Sequence, residues 1–597
     1  MKPPQFLPAT REEMARQGWD QLDVILISGD AYMDSPFIGV AVIGRFLAAH
    51  GFRVGVIAQP DVHSAADITR LGEPRLFWGV SGGSIDSMVA NYTASGKRRK
   101  SDDYTPGGRN TRRPDRAVIA YANLIRAHFK NTVPIVLGGI EASLRRLAHY
   151  DFWQNRIRRS ILADAKADYL LYGMAEYSAL ALAQQLARGD DPHHLAGLCY
   201  LTPQPPESAA LLPSFATVRG DRKLFAEMFL AQYENNDPLT ASPLAQQQDS
   251  RYLVQNPPWP HLSSKELDRI YELDYARRVH PHDEKQGEVR AMQTIRFAIT
   301  THRGCYGECN FCAIAVHQGR TVVSRSEQSL LREAGQLVRH PDFKGTISDL
   351  GGPTANMYGF ECAKKLKKGA CNNKRCLYPK ICPTMPIDHS AQVRLLAKIR
   401  RLPGIRKVVV ASGIRYDMVL ADKKHGQTYL EAIIRHHVSG QLKIAPEHCV
   451  DRVLACMGKP GGRDLLRFRE LFFRLTHKAG LKQFLTYYII AAHPGCTVED
   501  MRSLKTFAQK QLKLIPRQVQ IFTPTPATIS TLMYWTGNNP LTRTDCFVER
   551  DRRGREVQKE ILTRAIAGRA KRAGHGRQGI SYRSKKTMKK NQQVRKK

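Results

Sequence analysis

The sequence contains no long apolar segment. Among its 597 residues, no uninterrupted hydrophobic run approaches the roughly 20 residues that a membrane helix needs. Residues 1–20 are polar and contain proline, so they lack the apolar core of a signal peptide. We therefore expect a cytoplasmic chain without a membrane partner, in which the 12 cysteines serve as ligands or free thiols rather than as disulfides.

Acidic residues are also scarce. The chain has 54 Asp and Glu against 91 Lys and Arg, which gives a formal net charge of +37. Residues 571–597 carry eleven Lys or Arg and no acidic residue, so this segment adds to the charge but does not account for most of it. The excess predicts a polyanionic partner such as RNA or a ribosome, and a general solubility feature is the alternative.

Three cysteines stand close together on a glycine-rich loop. Cys305, Cys309 and Cys312 have the spacing C-x3-C-x2-C and follow the apolar run at residues 295–299. Three thiolates held this close can each bind one iron of a 4Fe-4S cluster, while the fourth iron has no protein ligand. A small chelating ligand can occupy that iron and receive an electron through the cluster.

A zinc site with His302 or His317 as the fourth ligand is the alternative. Zinc modules are short and self-contained, whereas this loop follows a strand and opens a long alternating pattern. The loop resembles the signature of the radical S-adenosylmethionine (radical SAM) enzymes. The resemblance implies that S-adenosylmethionine binds the open iron and that Phe311 lies against its adenine. It also implies a reducing electron donor and a 5′-deoxyadenosyl radical that abstracts hydrogen from a substrate.

The first part of the chain alternates between strand and helix patterns. Residues 23–29 and 53–58 are apolar runs typical of buried strands, and residues 39–51 between them have a helical pattern that ends at glycine. Further strand patterns follow near residues 133–139 and 169–173. This order predicts an α/β fold with a doubly wound N-terminal domain whose ligand crevice lies at the carboxyl ends of the strands.

This domain resembles the cobalamin-binding-like domain that precedes the radical domain in several radical SAM enzymes. Cobalamin binders of that type carry Asp-x-His-x-x-Gly, in which the histidine coordinates cobalt. The corresponding loop at residues 30–39 offers Asp34 and Gly39 but no histidine. Cobalamin is therefore disfavoured, and we expect a domain that docks substrate or protein.

The second part of the chain repeats a strand and helix unit six times. Predicted strands centre on Phe297, Thr346, Val409, Lys443, Tyr487 and Ile521. Six units fit a partial (β/α)6 barrel, the barrel that radical SAM enzymes use, with the cysteine loop after the first strand. We predict an N-terminal domain at 1–200, a Pro- and Gln-rich connector at 201–290, the barrel at 291–540 and a basic extension at 541–597, disordered from about 571.

Other strand ends resemble the elements that bind S-adenosylmethionine. Gly351, Gly352 and Pro353 follow the second strand and resemble the Gly-Gly-Glu element, whose backbone receives the methionine amino group. Ser412 and Glu447 follow the third and fourth strands, where the ribose and carboxylate would lie. The sequence itself names no catalytic side chain.

A closer resemblance extends over most of the chain. The stretches 138–146, 348–358 and 443–448 look like the YgiQ-type family of radical SAM proteins, and the likeness runs from about residue 5 to about 550. It implies a two-domain protein with a 4Fe-4S cluster and leaves the reaction unassigned.

A second group of cysteines lies after the second barrel strand. Its spacing is C-x8-C-x4-C-x5-C, at Cys362, Cys371, Cys376 and Cys382. Four thiols in a turn-rich loop predict an auxiliary iron-sulfur cluster or a zinc ion, and free thiols are the alternative. The remaining cysteines are scattered and are predicted to be packed side chains: Cys199, Cys449, Cys456, Cys496 and Cys546.

Three functions follow from these features. The leading hypothesis is a radical SAM enzyme that acts on RNA or a ribosome-associated substrate. The second is a radical SAM enzyme for a small molecule, which a closed pocket free of Lys and Arg would favour. The third is a noncatalytic iron-sulfur or zinc protein that binds nucleic acid.

Overall fold

A computed structural model describes residues 5–372, 374–516 and 518–563. Within these residues, nine strands form one large sheet. Its order is Val54–Ala58, Val24–Ser28, Phe77–Ser81, Ile135–Gly138, Tyr169–Leu171, Leu198–Thr202, Arg251–Gln255, Leu244–Gln248 and Ala210–Leu212. The first five strands are parallel, and the next three pairings are antiparallel. The predicted α/β fold with a parallel sheet is confirmed.

Helices cover both faces of this sheet. In strand Val24–Ser28, Ile25 and Ile27 belong to a core shared with helix Ala117–His128, whereas Val24 and Leu26 belong to a core shared with helix Gly39–Ala49. Successive side chains of a strand point to opposite faces, so a run that is apolar throughout needs cover on both. Other helices here are Arg11–Arg16, Ala66–Thr69, Ser87–Asn91, Gly139–Ser143, Ile161–Asp164 and Glu176–Arg188.

The segment predicted as a connector contributes three strands to the sheet. The strand Leu244–Gln248 has the sequence LAQQQ, which a hydrophobic pattern does not reveal. Its Gln246 is buried, and both ends of its side-chain amide have partners: the amide donates to the carbonyl of Pro213 at 2.9 Å and accepts from the N–H of Ala148 at 2.9 Å. The sheet thus extends past residue 200, and the domain boundaries stay a prediction. Helices in this segment are Phe215–Gly220, Arg222–Glu234, Ser264–Tyr271 and Pro281–Glu284.

Parallel pairings continue through the second part of the chain. Strand Ala298–Thr300 pairs with Asp349–Gly351, and Thr346–Ile347 pairs with Lys407–Val408. A parallel bridge then joins Ile414 to Ile444. The final parallel set is Gln441–Glu447, Phe484–Ala491 and Gln518–Ile521. Helices between the strands include Glu327–Val338, Ser390–Arg400, Tyr416–Ala421, Gly426–Ala432, Asp451–Met457, Arg463–Lys478 and Val498–Phe507.

The end of the described chain packs against both parts. Helix Ile529–Thr536 places Leu532 and Met533 in the core that contains Ile25. Helix Arg552–Thr563 packs on Val498–Phe507. The disorder predicted from about residue 571 lies outside the described residues. In the described part of the chain, no helix combines the length and apolar composition that crossing a bilayer requires.

Candidate functional site

Backbone hydrogen bonds fix the loop that carries the first three cysteines. The N–H of Cys312 donates to the carbonyl of Cys309 at 2.9 Å, and the N–H of Asn310 donates to the carbonyl of Met457 at 2.9 Å. These two cysteines and Cys305 are all free and partly buried. The loop is therefore held against a helix from a distant part of the sequence.

The sulfur atoms of Cys305 and Cys309 face a common space. A Cβ atom on Gly307 would lie 3.2 Å from Cys305 Sγ and 3.7 Å from Cys309 Sγ. The N–H of Gly307 donates to Cys305 Sγ at 3.3 Å, and Arg415 Nη1 donates to Cys309 Sγ at 3.7 Å. The missing side chain at position 307 keeps the space open, and the two donors stabilise thiolates that face it.

Burial disfavours the charged form of two of the three thiols in this loop. Burial raises the pKa of the Cys305 thiol, and burial together with the neighbouring thiols of Cys309 and Cys305 raises the pKa of Cys312 to about 12. Thiol ligands lose their protons when they bind metal, so a metal centre would stabilise the thiolates here. In the described ranges, no three His, Cys, Asp or Glu side chains converge on one ion. A cubane cluster instead places each thiolate on a separate iron, and this donor set fits it.

Arg415 is a site residue that the sequence reasoning did not single out. Its guanidinium is buried and forms two hydrogen bonds to Asp417, at 2.8 and 2.5 Å. Its backbone N–H donates to the side chain of Asn356 at 2.8 Å. The available signal was an arginine directly after a predicted barrel strand, the position from which it reaches Cys309.

Gly351 and Ser412 lie side by side at neighbouring strand ends. A Cβ atom on Gly351 would lie 3.4 Å from Ser412 Oγ, and the Ser412 hydroxyl donates to Asp349. The following turn continues to Thr354, whose hydroxyl lies 3.6 Å from Cys305 Sγ. The structure thus places the turn predicted to bind S-adenosylmethionine in contact with the cysteine loop.

Gly352 packs against the buried imidazole of His302. A Cβ atom on Gly352 would lie between 2.5 and 2.9 Å from three atoms of the His302 ring. His302 Nδ1 shares a hydrogen bond with the Thr301 hydroxyl at 2.8 Å, and burial lowers the pKa of the ring to about 4. The neutral ring therefore occupies the space that a side chain at position 352 would need.

The two remaining predicted contacts, at Glu447 and Phe311, have different surroundings, and their roles stay predictions. Glu447 is buried, its pKa is raised by burial, and its charge acts on Cys312 of the loop. Lys459 Nζ lies 4.0 Å from Glu447 Oε1. The Phe311 ring packs edge to face against His493, with ring centroids 6.1 Å apart.

The second group of cysteines is adjacent to the first. The sulfur atoms of Cys362 and Cys382 lie 3.8 and 3.2 Å from the Thr384 hydroxyl, and Cys376 accepts a hydrogen bond from a lysine at 3.9 Å. These three cysteines share a small core with the first loop, and Cys371 is partly buried. The metal predicted for this group stays a prediction.

A cavity of about 400 Å³ lies between the nine-stranded sheet and the barrel-like strands. Its wall includes strand ends from both sides, at Ser81, Gly138, Gly139, Gly351, Gly352, Pro353 and Ser412. Most of its other wall residues are apolar. Arg303 is the single Lys or Arg among the described wall residues, and it is paired with Glu176 at 2.7 Å. The cavity thus lies between the carboxyl ends of the parallel sheet strands, where a ligand crevice was predicted, and the turn predicted to bind S-adenosylmethionine.

Two family descriptions match parts of this chain. Residues 6–298 match the family described as Radical SAM N-terminal. Residues 517–591 match a domain of unknown function, DUF3362. Of solved structures, the chain is similar to the radical S-adenosylmethionine methyltransferase TsrM from Kitasatospora setae, solved with cobalamin and a [4Fe-4S] cluster. That likeness has 15% identity and a TM-score of 0.47, and covers 85% of this chain and 77% of that one.

Full-length relatives show a much higher similarity. A UPF0313 protein of Fusobacterium nucleatum is 55% identical over 94% of this chain and 98% of its own length. A UPF0313 protein of Thermotoga maritima is 48% identical over 95% of this chain and all of its own length. The predicted resemblance to a YgiQ-type family is thereby confirmed. The chain belongs to the UPF0313 family and is a radical SAM enzyme.

Proposed function

We propose that Cys305, Cys309 and Cys312 hold a 4Fe-4S cluster whose open iron takes S-adenosylmethionine. When bound and reduced, this pair supplies a 5′-deoxyadenosyl radical that abstracts hydrogen from the substrate. The observation that carries the proposal is the common space that the sulfur atoms of Cys305 and Cys309 face, in contact with the turn that ends at Thr354. The backbone hydrogen bond from Cys312 to Cys309 holds the third cysteine on the same short loop.

The parallel pairings support a partial (β/α)6 barrel. Successive predicted barrel strands are joined by parallel pairings, except that a single parallel bridge between Ile414 and Ile444 joins the third to the fourth. The cysteine loop follows the first of them. Helices on both faces of the nine-stranded sheet likewise support a doubly wound N-terminal domain. We place the barrel at residues 291–540, as predicted from the sequence.

The residues around the space have distinct tasks. The N–H of Gly307 and the guanidinium of Arg415 donate to sulfur atoms and stabilise the thiolates. Gly351 and Gly352 allow a ligand to approach the backbone because they have no side chain. Ser412 is oriented by its hydrogen bond to Asp349, so its hydroxyl oxygen remains available to accept a hydrogen bond.

The cavity supports a compact and largely apolar substrate. Its volume of about 400 Å³ is within the range of small-molecule sites, and its single arginine is already neutralised by Glu176. Phosphate groups of RNA would need free cations, which this wall does not offer. We therefore favour the small-molecule enzyme over the RNA-directed one, in contrast to the order that the net charge alone favours.

The loop at residues 30–39, which lacks the cobalt-coordinating histidine of cobalamin binders, borders the same cavity. Phe37 and Gly39 of the loop without histidine are part of the wall. Asp34 in that loop is paired with Arg45. Our expectation of no cobalamin stays a prediction, and the absorbance spectrum of protein incubated with hydroxocobalamin and then desalted tests it.

The central proposal is tested with anaerobically prepared, reconstituted protein. We expect about four irons at the first site, a 4Fe-4S absorbance and, with a reductant, release of 5′-deoxyadenosine. Replacing Cys305, Cys309 and Cys312 together by alanine should abolish both the 4Fe-4S absorbance of the first site and cleavage. Cys199→Ala, at a cysteine buried in the sheet core, is the matched control and should leave both unchanged.

The same triple variant tests the second cysteine group. Iron or zinc retained by it would support a metal at Cys362, Cys371, Cys376 and Cys382. If the triple variant retains neither iron nor zinc, these four cysteines are free thiols. Cleavage of S-adenosylmethionine by the triple variant would refute the first site.

A further inference from the structure

Two cysteines 90 positions apart in the sequence meet in the structure. Cys456 lies on helix Asp451–Met457, and Cys546 directly follows strand Thr544–Asp545. A Cβ atom on Gly495 would lie 2.7 Å from Cys456 Sγ and 3.6 Å from Cys546 Sγ. The two sulfur atoms therefore flank one point, and the glycine leaves room for them to meet.

The surroundings of this pair favour a reactive thiolate. The thiol of Cys546 donates a hydrogen bond to Cys456, which lowers the pKa of Cys456 to about 7. The guanidinium of Arg452, one turn earlier on the same helix, adds a positive charge; it donates to the carbonyl of Gly495 at 2.7 Å and pairs with Asp500 at 2.6 Å. Cysteines beside a cation and a donor react faster than buried isolated ones.

The pair is also accessible and connected to the cysteine loop. Both side chains are partly exposed, whereas Cys199 is fully buried. The carbonyl of Cys456 accepts a hydrogen bond at 2.8 Å from Asn310 Nδ2, and Asn310 lies between Cys309 and Cys312. A change at Cys456 therefore acts one hydrogen bond away from the loop.

We propose that Cys456 and Cys546 are a redox-active dithiol that forms a reversible disulfide by exchange with low-molecular-weight disulfides. The Cys456 thiolate attacks one sulfur of the small disulfide, whose other half leaves as a thiolate. The sulfur of Cys546 then attacks the mixed disulfide at Cys456, transfers its proton to solvent or to the leaving thiolate, and releases the second small thiol. The two cysteines lose two electrons and the small disulfide gains them.

The consequence is a covalent link between two segments that now meet through the hydrogen bond between these thiols. The disulfide would tie helix Asp451–Met457 to the segment that precedes helix Arg552–Thr563. The first of these helices supports Asn310 in the cysteine loop. The predicted classification of these two cysteines as ordinary packed side chains is replaced by this proposal, because their proximity depends on the fold alone.

The test uses the full-length protein under argon, with mixtures of reduced and oxidised glutathione as the probe. Free thiols are alkylated after acid quenching, and peptides are mapped by mass spectrometry. We expect a peptide linked through Cys456 and Cys546 whose fraction rises with the oxidised share and is lost on excess reduced glutathione. Cys546→Ser should instead accumulate glutathione on Cys456, and Cys456→Ser should lose the link and leave Cys546 unmodified.

The controls separate chemistry from folding. Cys199→Ser should keep the full linked fraction, and circular dichroism establishes that each variant is folded. If a serine variant does not fold, the linked peptide in the unmodified protein decides the question alone. The proposal is overturned if oxidised glutathione produces no linked peptide, or if it produces mixed disulfides on both cysteines without a link. Cleavage of S-adenosylmethionine is not used as a readout, so the result is independent of the proposed function.

Discussion

Arg415→Met tests whether one buried ion pair supports both the barrel and the cysteine loop. The guanidinium is bonded twice to Asp417 and once to Cys309 Sγ, all within a buried environment. Removing one partner leaves the carboxylate buried and uncompensated, which costs about 3–5 kcal/mol. For a region of this size the melting temperature should fall by about 6–20 °C, since each kcal/mol corresponds to about 2–4 °C. Thermal unfolding followed by circular dichroism measures the shift.

A double variant separates the two roles of this arginine. Arg415→Met with Asp417→Asn removes both charges, so most of the lost stability should return. The contact to Cys309 stays absent, and we expect the double variant to retain iron less well than the unmodified protein during chelator challenge. A melting temperature for Arg415→Met within about 2 °C of the unmodified protein would contradict the stability argument. Equal iron retention by the double variant would refute a role at the sulfur atom.

Two further predictions concern packing and pH. Gly352→Ala should displace the His302 ring, reduce the free energy of unfolding by about 1–3 kcal/mol and weaken the binding of S-adenosylmethionine measured by calorimetry. Gly335→Ala is the matched control, because a methyl group there meets no atom within 4 Å, and it should bind S-adenosylmethionine normally. At Glu13, burial raises the pKa, but hydrogen bonds from His280 and the backbone outweigh it and lower the pKa to about 2. The stabilisation by the Glu13 carboxylate is therefore fully present above its ordinary pKa of 4.5 and is lost as the pH falls toward 2. Glu13→Gln should be less stable than the unmodified protein at pH 7 and lose less stability on acidification, as measured by urea unfolding. Parallel pH profiles for the two proteins would show that the carboxylate is unimportant.

The sequence predicted several features because their causes are local. Strand Val24–Ser28 is apolar from Val24 to Ile27 and buried at every position, and an apolar run of this kind requires cover on both faces whatever the rest of the chain does. The spacing of Cys305, Cys309 and Cys312 likewise keeps three thiols on one short loop. The strand at Leu244–Gln248 was missed because its glutamines are satisfied by partners that are distant in sequence.

The contacts around the site depend on tertiary structure. Arg415 reaches Cys309 across 106 positions, and Cys456 reaches Cys546 across 90. Neither pair has a local pattern, because a hydrogen bond or a sulfur contact requires only that two side chains meet in space. The cavity has the same origin, since its wall combines strand ends from both parts of the chain. The sequence by itself thus determined the family, the parallel sheet and the cysteine loop, while only the folded chain decided which charges, thiols and apolar walls surround that loop.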